Sequence, residues 1–284
     1  MAVLLDGKAI SAQIKEEIKA EVEQFKAEGV NPKMAVVLVG NDPASVWYAQ
    51  SKQKMATNLG FEFDLFTLGE DTPEAEVLTL IDKLNNDKDT HGIMVELPLP
   101  KHISKENVMK AVDPIKDVDG VHPINRGYIL SGEEGLFPAT PQSCIELMLR
   151  SGVEIAGKHA VIVGRGETVG KPLVFLILQK NATITVCHSR TPDLAYHTKQ
   201  ADILIAAVGK ANMITADMIK PGAVVVDAGV NEIEGGGYCG DVDFEGAKEV
   251  AGMISPVPGG VGSLTTTLIL TNVLKGIKMQ LGRI

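Results

Sequence analysis

Residues 160–172, AVIVGRGETVGKP, constrain the fold of this 284-residue chain more than any other segment. An apolar β-branched run, 161–163, leads directly into a loop that contains Gly164 and Gly166, and a second apolar stretch begins at residue 173. This order predicts a strand, a tight turn and the start of a helix. Glycine lets the backbone approach a phosphate closely because no Cβ intervenes, and the amides of the following helix N-terminus favour an anion. The segment therefore predicts a phosphate-binding turn.

The residues around this turn favour NADP over NAD. The glycines follow the spacing GxGxxxG, which is one residue longer than the GxGxxG fingerprint, so the loop alone is a weak signal. A second strand is predicted over residues 182–186, and it ends in the sequence CHSR rather than in the acidic residue that NAD sites usually place there. Ser189, Arg190 and Arg165 suit a 2′-phosphate, because a guanidinium binds phosphate through two hydrogen bonds. The alternative is that these arginines are only solvated.

Composition and charge exclude several classes of protein. The net charge of −9 disfavours nucleic acid as a partner. No apolar run reaches the length of a membrane span, and the N-terminus lacks the pattern of a secretory signal. The three cysteines are scattered, and neither they nor the histidines have metal-ligand spacing. We expect a cytoplasmic protein with no metal, no membrane contact and no nucleic acid.

The order of predicted elements indicates an α/β fold in two lobes. Strands and helices alternate on both sides of residues 113–138, which are rich in Asp, Gly and Pro and are predicted to be a functional loop or an interdomain crossing. We expect an N-terminal α/β catalytic lobe over residues 1–139, completed by a C-terminal helix over 264–284. A Rossmann-like NADP-binding lobe with a parallel sheet is expected over 140–263, with a ligand cleft between the lobes. Strands are predicted at 34–39, 61–68, 91–97, 161–163, 182–186, 203–208 and 224–227, and helices at 10–25, 44–59, from 72, at 104–112, from 140, from 173 and at 264–279.

The second predicted helix carries a candidate polar face. Ser45, Tyr48 and Lys52 are spaced i, i+3 and i+7, so they lie on one side of a helix. A Tyr and a Lys one turn apart can act together in proton transfer, but an isolated YxxxK is more often an amphipathic helix with a snorkelling Lys. Asp117 and Asp119 form either a turn or a binding site for a polar ring.

Taken together, these stretches resemble the methylenetetrahydrofolate dehydrogenase/cyclohydrolase family over nearly the whole chain. The shared motifs occur in one order, which makes the resemblance highly specific. They are DPASVWYAQSKQK (42–54), GIMVELPLP (92–100), KDVDGVHPIN (116–125), VIVGRGETVGKP (161–172), CHSRT (187–191), DAGVN (227–231), GDVDF (240–244) and SPVPGGVGSLT (255–265).

The resemblance implies an activity and a set of site residues. The family oxidises 5,10-methylenetetrahydrofolate to 5,10-methenyltetrahydrofolate with NADP and hydrolyses the product to 10-formyltetrahydrofolate. It also implies a homodimer formed through the NADP-binding domain. The implied catalytic residues are Lys52, Tyr48, Glu96 and Asp119, with Lys52 central to hydrolysis. The implied folate-binding residues are Ser45, Tyr48, Leu97, Pro98, Asp119, Pro258, Gly259 and Gly260, and the implied cofactor-binding residues are Gly164, Arg165, Gly166, Val169, Gly170, Ser189, Arg190 and Val230.

The chain departs from the family pattern at three positions. Gly166 stands where the family usually has Ser, and Ser263 stands where it usually has Pro. Glu96 replaces the Gln of the motif that contacts the catalytic Lys. An ionised Glu96 would hold Lys52 as an ammonium ion, which is a poor base. We therefore predict an intact dehydrogenase and weak or absent hydrolysis; the alternative is that Glu96 itself takes the proton.

Three other interpretations remain open at this point. One is a monofunctional dehydrogenase of the same family. Another is a dehydrogenase of the short-chain type, which also has a YxxxK, but such enzymes place the glycine loop first and YxxxK after it. The third is a non-enzymatic NADP-binding module, against which the polar face of the second helix argues.

Overall fold

The chain forms two compact α/β units in a computed structural model that describes residues 1–233 and 235–284. The three-stranded unit comprises Ile14–Phe137 and Ile269–Ile284. The six-stranded unit comprises Met1–Gln13 and Pro138–Leu268. Each unit is built from two separate stretches of sequence, so neither is one continuous segment.

The helices of the described residues are numbered in chain order. They are α1 (Gly7–Ala27), α2 (Pro43–Asn58), α3 (Glu74–Asn86), α4 (Lys105–Ala111), α5 (Pro123–Ser131), α6 (Ala139–Arg150), α7 (Gly170–Leu178), α8 (Leu194–Thr198), α9 (Phe244–Ala247) and α10 (Gly262–Gln280). No helix in residues 1–233 or 235–284 is long and apolar enough to cross a bilayer.

The strands are also numbered in chain order. They are β1 (Val3–Leu4), β2 (Lys33–Val39), β3 (Glu62–Leu68), β4 (Gly92–Val95), β5 (His159–Val163), β6 (Thr183–Cys187), β7 (Ile203–Ala206), β8 (Val224–Asp227), β9 (Asn231–Glu232), β10 (Tyr238–Cys239) and β11 (Met253–Ile254).

The three-stranded unit is organised around β2. Its sheet has the order β3-β2-β4, and both pairings are parallel. Six of the seven β2 residues are buried, as is typical of a central parallel strand covered by helices on both faces. Apolar side chains of β2 and β4 pack against α3 and α4 in one core cluster. This core includes Val39 and Val95, which lie at the end of their strands.

The six-stranded unit has an all-parallel sheet in the order β1-β11-β8-β7-β5-β6. Strand β5 lies between β6 and β7, and Val163 is paired with Cys187 on one side and with Ala206 on the other. The loops that follow these three strands therefore leave from the same edge of the sheet. Strands β9 and β10 form a separate antiparallel pair. The fold class predicted from the sequence, α/β with parallel sheets, is confirmed.

The N-terminal residues are placed differently from the predicted domain boundary. Met1–Gln13 belong to the six-stranded unit, because β1 adds to its sheet edge through parallel pairing with β11. The two-residue strand β1 carried no periodic signal in the sequence. Ile269–Ile284 belong to the three-stranded unit, where the Asn272 side chain donates hydrogen bonds of 2.8 Å to the carbonyls of Val118 and Phe137.

The segment 113–138, which the sequence predicts to be a loop, contains helix α5. His122 caps this helix by accepting a hydrogen bond from the amide of Ile124 at 3.1 Å, and Pro123 occupies its first turn. Gly132 ends it in the left-handed conformation, with φ of 79°. The turn-forming composition of the segment concealed a short helix that has a Pro start and a Gly stop.

Several predicted boundaries were wrong by one or more residues. Helix α3 begins at Glu74 with Pro73 as its N-cap, two residues after the predicted start at residue 72. Helix α6 begins at Ala139, one residue before the predicted start. Strand β7 ends at Ala206 rather than at residue 208, because the amides from Val208 onward bind a side-chain carboxylate instead of a neighbouring strand.

Candidate active site

Helix α2 presents Ser45 and Lys52 on its buried face. Its buried residues are Ser45, Ala49, Lys52 and Ala56, whose spacing marks one side of a helix. Asp42 caps the helix and accepts hydrogen bonds of 2.8 Å from both the amide and the hydroxyl of Ser45. These hydrogen bonds lower the pKa of Asp42 and keep it ionised. Asp42 was not among the predicted site residues, although Asp followed by Pro is a recognisable helix start.

The segment after β4 lies directly against this face of α2. The amide of Glu96 donates to the carbonyl of Val37 at 2.9 Å, so Glu96 continues the ladder of the sheet. The carbonyl of Leu97 accepts a hydrogen bond of 3.1 Å from the Ser45 hydroxyl. Leu97 and Pro98 are exposed beside this contact. The sheet and the helix therefore hold Ser45, Glu96 and Leu97 in one place.

Lys52 and Glu96 form a buried ion pair. The Lys52 Nζ lies 2.7 Å from the Glu96 Oε1, and the two side chains are 9% and 6% accessible. Each buried charge needs the other as a partner, because an unpaired charge in such a site would lose its hydration without compensation. The Lys52 Nζ also lies 5.6 Å from the centroid of the Tyr48 ring.

Tyr48 faces outward from the same helix. Half of its surface is accessible, and its ring makes an edge contact with Trp47 at a centroid distance of 5.1 Å. Of the three residues predicted to share one helical face, Ser45 and Lys52 are buried whereas Tyr48 lies at the boundary with solvent. An exposed aromatic pair beside a buried ion pair is suited to contact the flat face of a ring.

The loop after α4 brings two carboxylates near this pair, and they differ in role. Asp117 is buried and accepts hydrogen bonds from the amide of His122 at 2.7 Å and from the Asn125 side chain at 2.9 Å. Burial raises the pKa of Asp117, and these hydrogen bonds oppose the rise. Because its oxygens are engaged by the loop itself, Asp117 serves to shape the loop.

Asp119 is the carboxylate available to a ligand. It is half-buried, and no hydrogen bond to its side chain occurs within residues 1–233 and 235–284. Burial, and then the charge of Asp117, raise its pKa to about 6, while Lys52 lowers it and Glu96 raises it again. The structure thus brings together three predicted residues, Lys52, Glu96 and Asp119, in the three-stranded unit.

The six-stranded unit contains the predicted phosphate-binding turn between β5 and α7. A Cβ on Gly164 would lie 2.1 Å from the carbonyl oxygen of Ala207, and one on Gly170 would lie 2.4 Å from the carbonyl oxygen of Gly164. Glycine is therefore required at both positions. Gly166 has no heavy atom within 4 Å of its Cβ position and faces open space. Val169 is the N-cap residue of α7.

The predicted 2′-phosphate residues lie on adjacent loops at this edge of the sheet. The amide of Gly164 donates to the carbonyl of Cys187 at 2.9 Å, which joins the start of the glycine loop to the end of β6. Arg165, Ser189 and Arg190 are exposed on these two loops. Val230, which follows β8, is also largely exposed. Together these residues offer guanidinium, hydroxyl and amide donors to a phosphorylated ligand.

The glycine pair of the last predicted segment lies in the six-stranded unit. A Cβ on Gly7 would lie 2.0 Å from the carbonyl oxygen of Gly260, so the start of α1 packs directly on this loop. Pro258 is exposed, whereas Gly260 is buried. The assignment of Pro258, Gly259 and Gly260 to a folate site stays a prediction.

These features define a two-unit α/β enzyme that has a nucleotide-binding turn in one unit and a Lys–Glu–Asp cluster in the other. The family model for the tetrahydrofolate dehydrogenase/cyclohydrolase catalytic domain matches residues 5–119, and the model for the NAD(P)-binding domain of the same family matches residues 138–281. The chain belongs to the tetrahydrofolate dehydrogenase/cyclohydrolase family.

Similar proteins cover almost the whole chain. The bifunctional protein FolD 2 of Desulfitobacterium hafniense is 73% identical over 280 residues, which is 99% of this chain and 98% of that protein. A bifunctional FolD structure from Campylobacter jejuni superposes with a TM-score of 0.96 at 43% identity, covering 99% and 100% of the two chains. The Trypanosoma brucei methylenetetrahydrofolate dehydrogenase-cyclohydrolase, complexed with NADP cofactor and inhibitor, gives a TM-score of 0.91 at 34% identity and covers 99% and 98%.

Proposed function

We propose that this protein oxidises 5,10-methylenetetrahydrofolate to 5,10-methenyltetrahydrofolate with NADP, and that it hydrolyses the product only weakly. The observation that carries the proposal is the free Asp119 carboxyl beside the buried Lys52–Glu96 pair, in the region that the catalytic-domain model matches. A polar ring that binds there meets a charged acceptor, a charged donor and the exposed ring of Tyr48.

The residues of the six-stranded unit fit NADP. Gly164 and Gly170 allow the close backbone packing that forms the turn, Gly166 faces open space, and the amides at the start of α7 favour the charge of a phosphate. Residues 188–191, which follow β6, contain Ser189 and Arg190 and no acidic residue. The bound cofactor would accept the hydride. Arg165, Ser189 and Arg190 would hold its 2′-phosphate by charge-assisted hydrogen bonds.

The oxidation step requires little acid–base chemistry from the protein. The hydride leaves the methylene carbon directly, and the neighbouring nitrogens of the substrate stabilise the cation that forms. The protein supplies alignment, which alone contributes a large share of the rate. We propose that Asp119 binds the edge of the pterin ring. Its carboxylate has no competing partner in the described loop and can accept hydrogen bonds from the N–H donors of a pterin. We assign the aromatic face of the substrate to Tyr48.

The hydrolytic step depends on the protonation state of Lys52. Water must attack the methenyl carbon, and protons must move as the ring opens, which is work for a general base. The carboxylate of Glu96, 2.7 Å from the Lys52 Nζ, stabilises the ammonium form of that side chain. An ammonium ion has no lone pair with which to take a proton. This pairing therefore slows hydrolysis while it leaves oxidation unaffected.

The test is a pair of absorbance assays on the purified protein. The first follows production of methenyltetrahydrofolate from methylenetetrahydrofolate and NADP. The second supplies methenyltetrahydrofolate and measures its loss above the spontaneous rate. We expect a clear signal in the first assay and a small one in the second. NADP binding without turnover would indicate a non-enzymatic module, and turnover of other alcohols or ketones instead would indicate a dehydrogenase of the short-chain type.

We further infer a homodimer formed through the six-stranded unit. Strand β6 lies at the edge of its sheet, and Val186 on this strand is 37% exposed. An edge strand that carries an exposed apolar side chain is suited to pairing with a second copy. Light scattering after size-exclusion chromatography distinguishes a dimer from a monomer, and Val186→Lys should shift the protein to the monomer.

A further inference from the structure

Two buried carboxylates lie at the edge of the six-stranded sheet from which the glycine loop leaves. Asp227 ends β8 and Asp241 follows β10, and they are 3% and 0% exposed. Glycines make room for both: a Cβ on Gly229 would lie 2.2 Å from the Asp241 Cγ, and one on Gly240 would lie 1.9 Å from the Asp227 Oδ2. Neither carboxylate belongs to the Lys52–Glu96 cluster, and neither was assigned a role from the sequence.

Asp227 fixes the position of Asp241. The Oδ1 of Asp227 accepts hydrogen bonds from the amides of Gly229 at 2.9 Å and Asp241 at 3.0 Å. Its Oδ2 accepts one from the amide of Val242 at 2.8 Å. The backbone on both sides of the Asp241 side chain is therefore held by one carboxylate.

Asp241 in turn holds the segment that follows β7. Its Oδ2 accepts hydrogen bonds from the amides of Val208 at 2.6 Å and Gly209 at 3.0 Å. Its Oδ1 accepts from the amide of Lys210 at 2.8 Å and from the Asn231 side chain at 3.0 Å. Three consecutive amides that surround one anion form a nest, an arrangement that fixes the conformation of the backbone that supplies them.

The 208–210 segment lies next to the glycine loop. Ala207, which immediately precedes it, donates its amide to the carbonyl of Val163 at 2.8 Å. The carbonyl of Ala207 lies against the Cα of Gly164, where a Cβ would be 2.1 Å from the oxygen. Ligands of parallel α/β sheets bind at the carboxyl ends of the strands. Residues Val208, Gly209 and Lys210 are therefore placed to form one wall of the nucleotide site.

We infer that Asp241, oriented by Asp227, is a positioning residue for NADP: it sets the shape of the 208–210 segment and does not itself contact the reacting atoms. This inference rests on the proposed NADP-dependent function. Loss of the carboxylate charge at position 241 releases the 208–210 segment, which weakens cofactor binding. The folate residues Tyr48, Lys52 and Asp119 lie in the other unit, so the KM for the folate should not change.

The direct test is Asp241→Asn, which keeps the shape of the side chain. The side-chain amide nitrogen of Asn is a hydrogen-bond donor, so it would face backbone N–H groups that are also donors. We expect the KM for NADP to rise roughly 10- to 100-fold, the range for loss of charge-assisted hydrogen bonds, with the KM for methylenetetrahydrofolate unchanged. The matched control is Asp243→Asn, because among residues 1–233 and 235–284 the Asp243 side chain accepts only one hydrogen bond, a long one of 3.4 Å from the amide of Gly246. We expect the control to leave both KM values unchanged.

A second measurement keeps the inference testable if Asp241→Asn does not fold. Asn231→Ala removes one donor from the Asp241 Oδ1 and leaves the carboxylate in place. Amide hydrogen exchange at Val208, Gly209 and Lys210 should be slow in the unmutated protein and faster in Asn231→Ala, with a roughly 3-fold rise in the Kd for NADP by calorimetry.

The possible outcomes separate this inference from the proposed function. An unmutated protein that neither binds NADP nor turns over folate contradicts both. An unmutated protein that is active, with an Asp241→Asn variant that binds NADP equally well, contradicts only the role of Asp241. Equal increases in both KM values would also overturn it, because they would indicate a general loss of structure.

Discussion

Replacement of Glu96 by Gln tests whether the carboxylate holds Lys52 as an ammonium ion. The Nζ and Oε1 atoms are 2.7 Å apart, and both side chains are almost fully buried. Unit charges at this distance attract by about 6 kcal/mol at an effective dielectric constant of about 20. The desolvation of each ion opposes this attraction by several kcal/mol. The pair therefore adds little to the net free energy of folding, but the two charges attract each other strongly.

Glu96→Gln removes the attraction for a charged Lys52 and retains a hydrogen-bond partner for it. A positioned general base contributes about 10²- to 10⁴-fold to a rate. We expect hydrolysis of methenyltetrahydrofolate to increase by at least about 10-fold in this variant, within that range. The oxidation rate should change by less than about 3-fold, because hydride transfer depends on alignment rather than on a base.

The assay follows the loss of methenyltetrahydrofolate above its spontaneous rate for both forms of the protein. Glu62→Gln serves as a control, since this substitution makes the same chemical change at an exposed position on β3. Adding Lys52→Met to Glu96→Gln should abolish the gain if Lys52 is the base.

Two results would refute this reasoning. Fast hydrolysis by the unmutated enzyme that disappears in Glu96→Gln would show that the carboxylate is the base. Equal hydrolysis by Glu96→Gln and by the double variant would show that Lys52 takes no part.

The remaining predictions concern the cofactor and the folate. Arg165→Ala should raise the KM for NADP roughly 10-fold or more and leave that for NAD nearly unchanged, because a charge-assisted contact contributes about 1.5–3 kcal/mol; equal use of NADP and NAD by the unmutated protein would contradict the assignment. Gly166→Ser should fold normally and tighten NADP binding, because its Cβ position is open; calorimetry measures the change. Asp119→Ala should abolish folate turnover with NADP affinity intact, and in the unmutated protein the KM for the folate should rise as the pH falls below about 6, the value to which burial and Asp117 raise the pKa of Asp119. A folded-state pKa above the usual value means that stability falls as the pH rises from about 4 to 6, so Asp119→Asn should be more stable at pH 7 by at most about 3 kcal/mol in chemical denaturation.

The sequence was sufficient for the parts of the fold that depend on periodicity and on glycine. Strand β2 and the turn at Gly164 were predictable because an apolar run and a glycine loop have few alternative structures. Helix α5 was not, since its His122 cap and its Pro and Gly boundaries also suit a loop. The two-residue strands β1 and β11 are too short to leave a pattern, and they form only because the sheet edge is available.

The site was predictable to different degrees in its different parts. Motif resemblance named Lys52, Glu96 and Asp119 but could not give the 2.7 Å distance between the first two. Asp117 and Asp119 are indistinguishable in the sequence. Only the structure shows that Asp117 accepts hydrogen bonds from the loop, whereas no described residue donates one to Asp119. The role of Asp241 depends on amides more than thirty positions away, which no local pattern reports.

The division of the chain has a consequence for its synthesis. Proteins emerge from the ribosome N-terminus first, and the three-stranded unit needs Ile269–Ile284, which emerge after every other residue of the two units. Asn272 can bind the carbonyls of Val118 and Phe137, and Gln280 the carbonyl of His91, only after the residues between them have been made. Strand β1 must likewise wait for β11. A chain that stops before β11 therefore leaves both units unfinished, and such a product lacks a complete three-stranded unit even though every residue of the Lys52–Glu96–Asp119 cluster is already present.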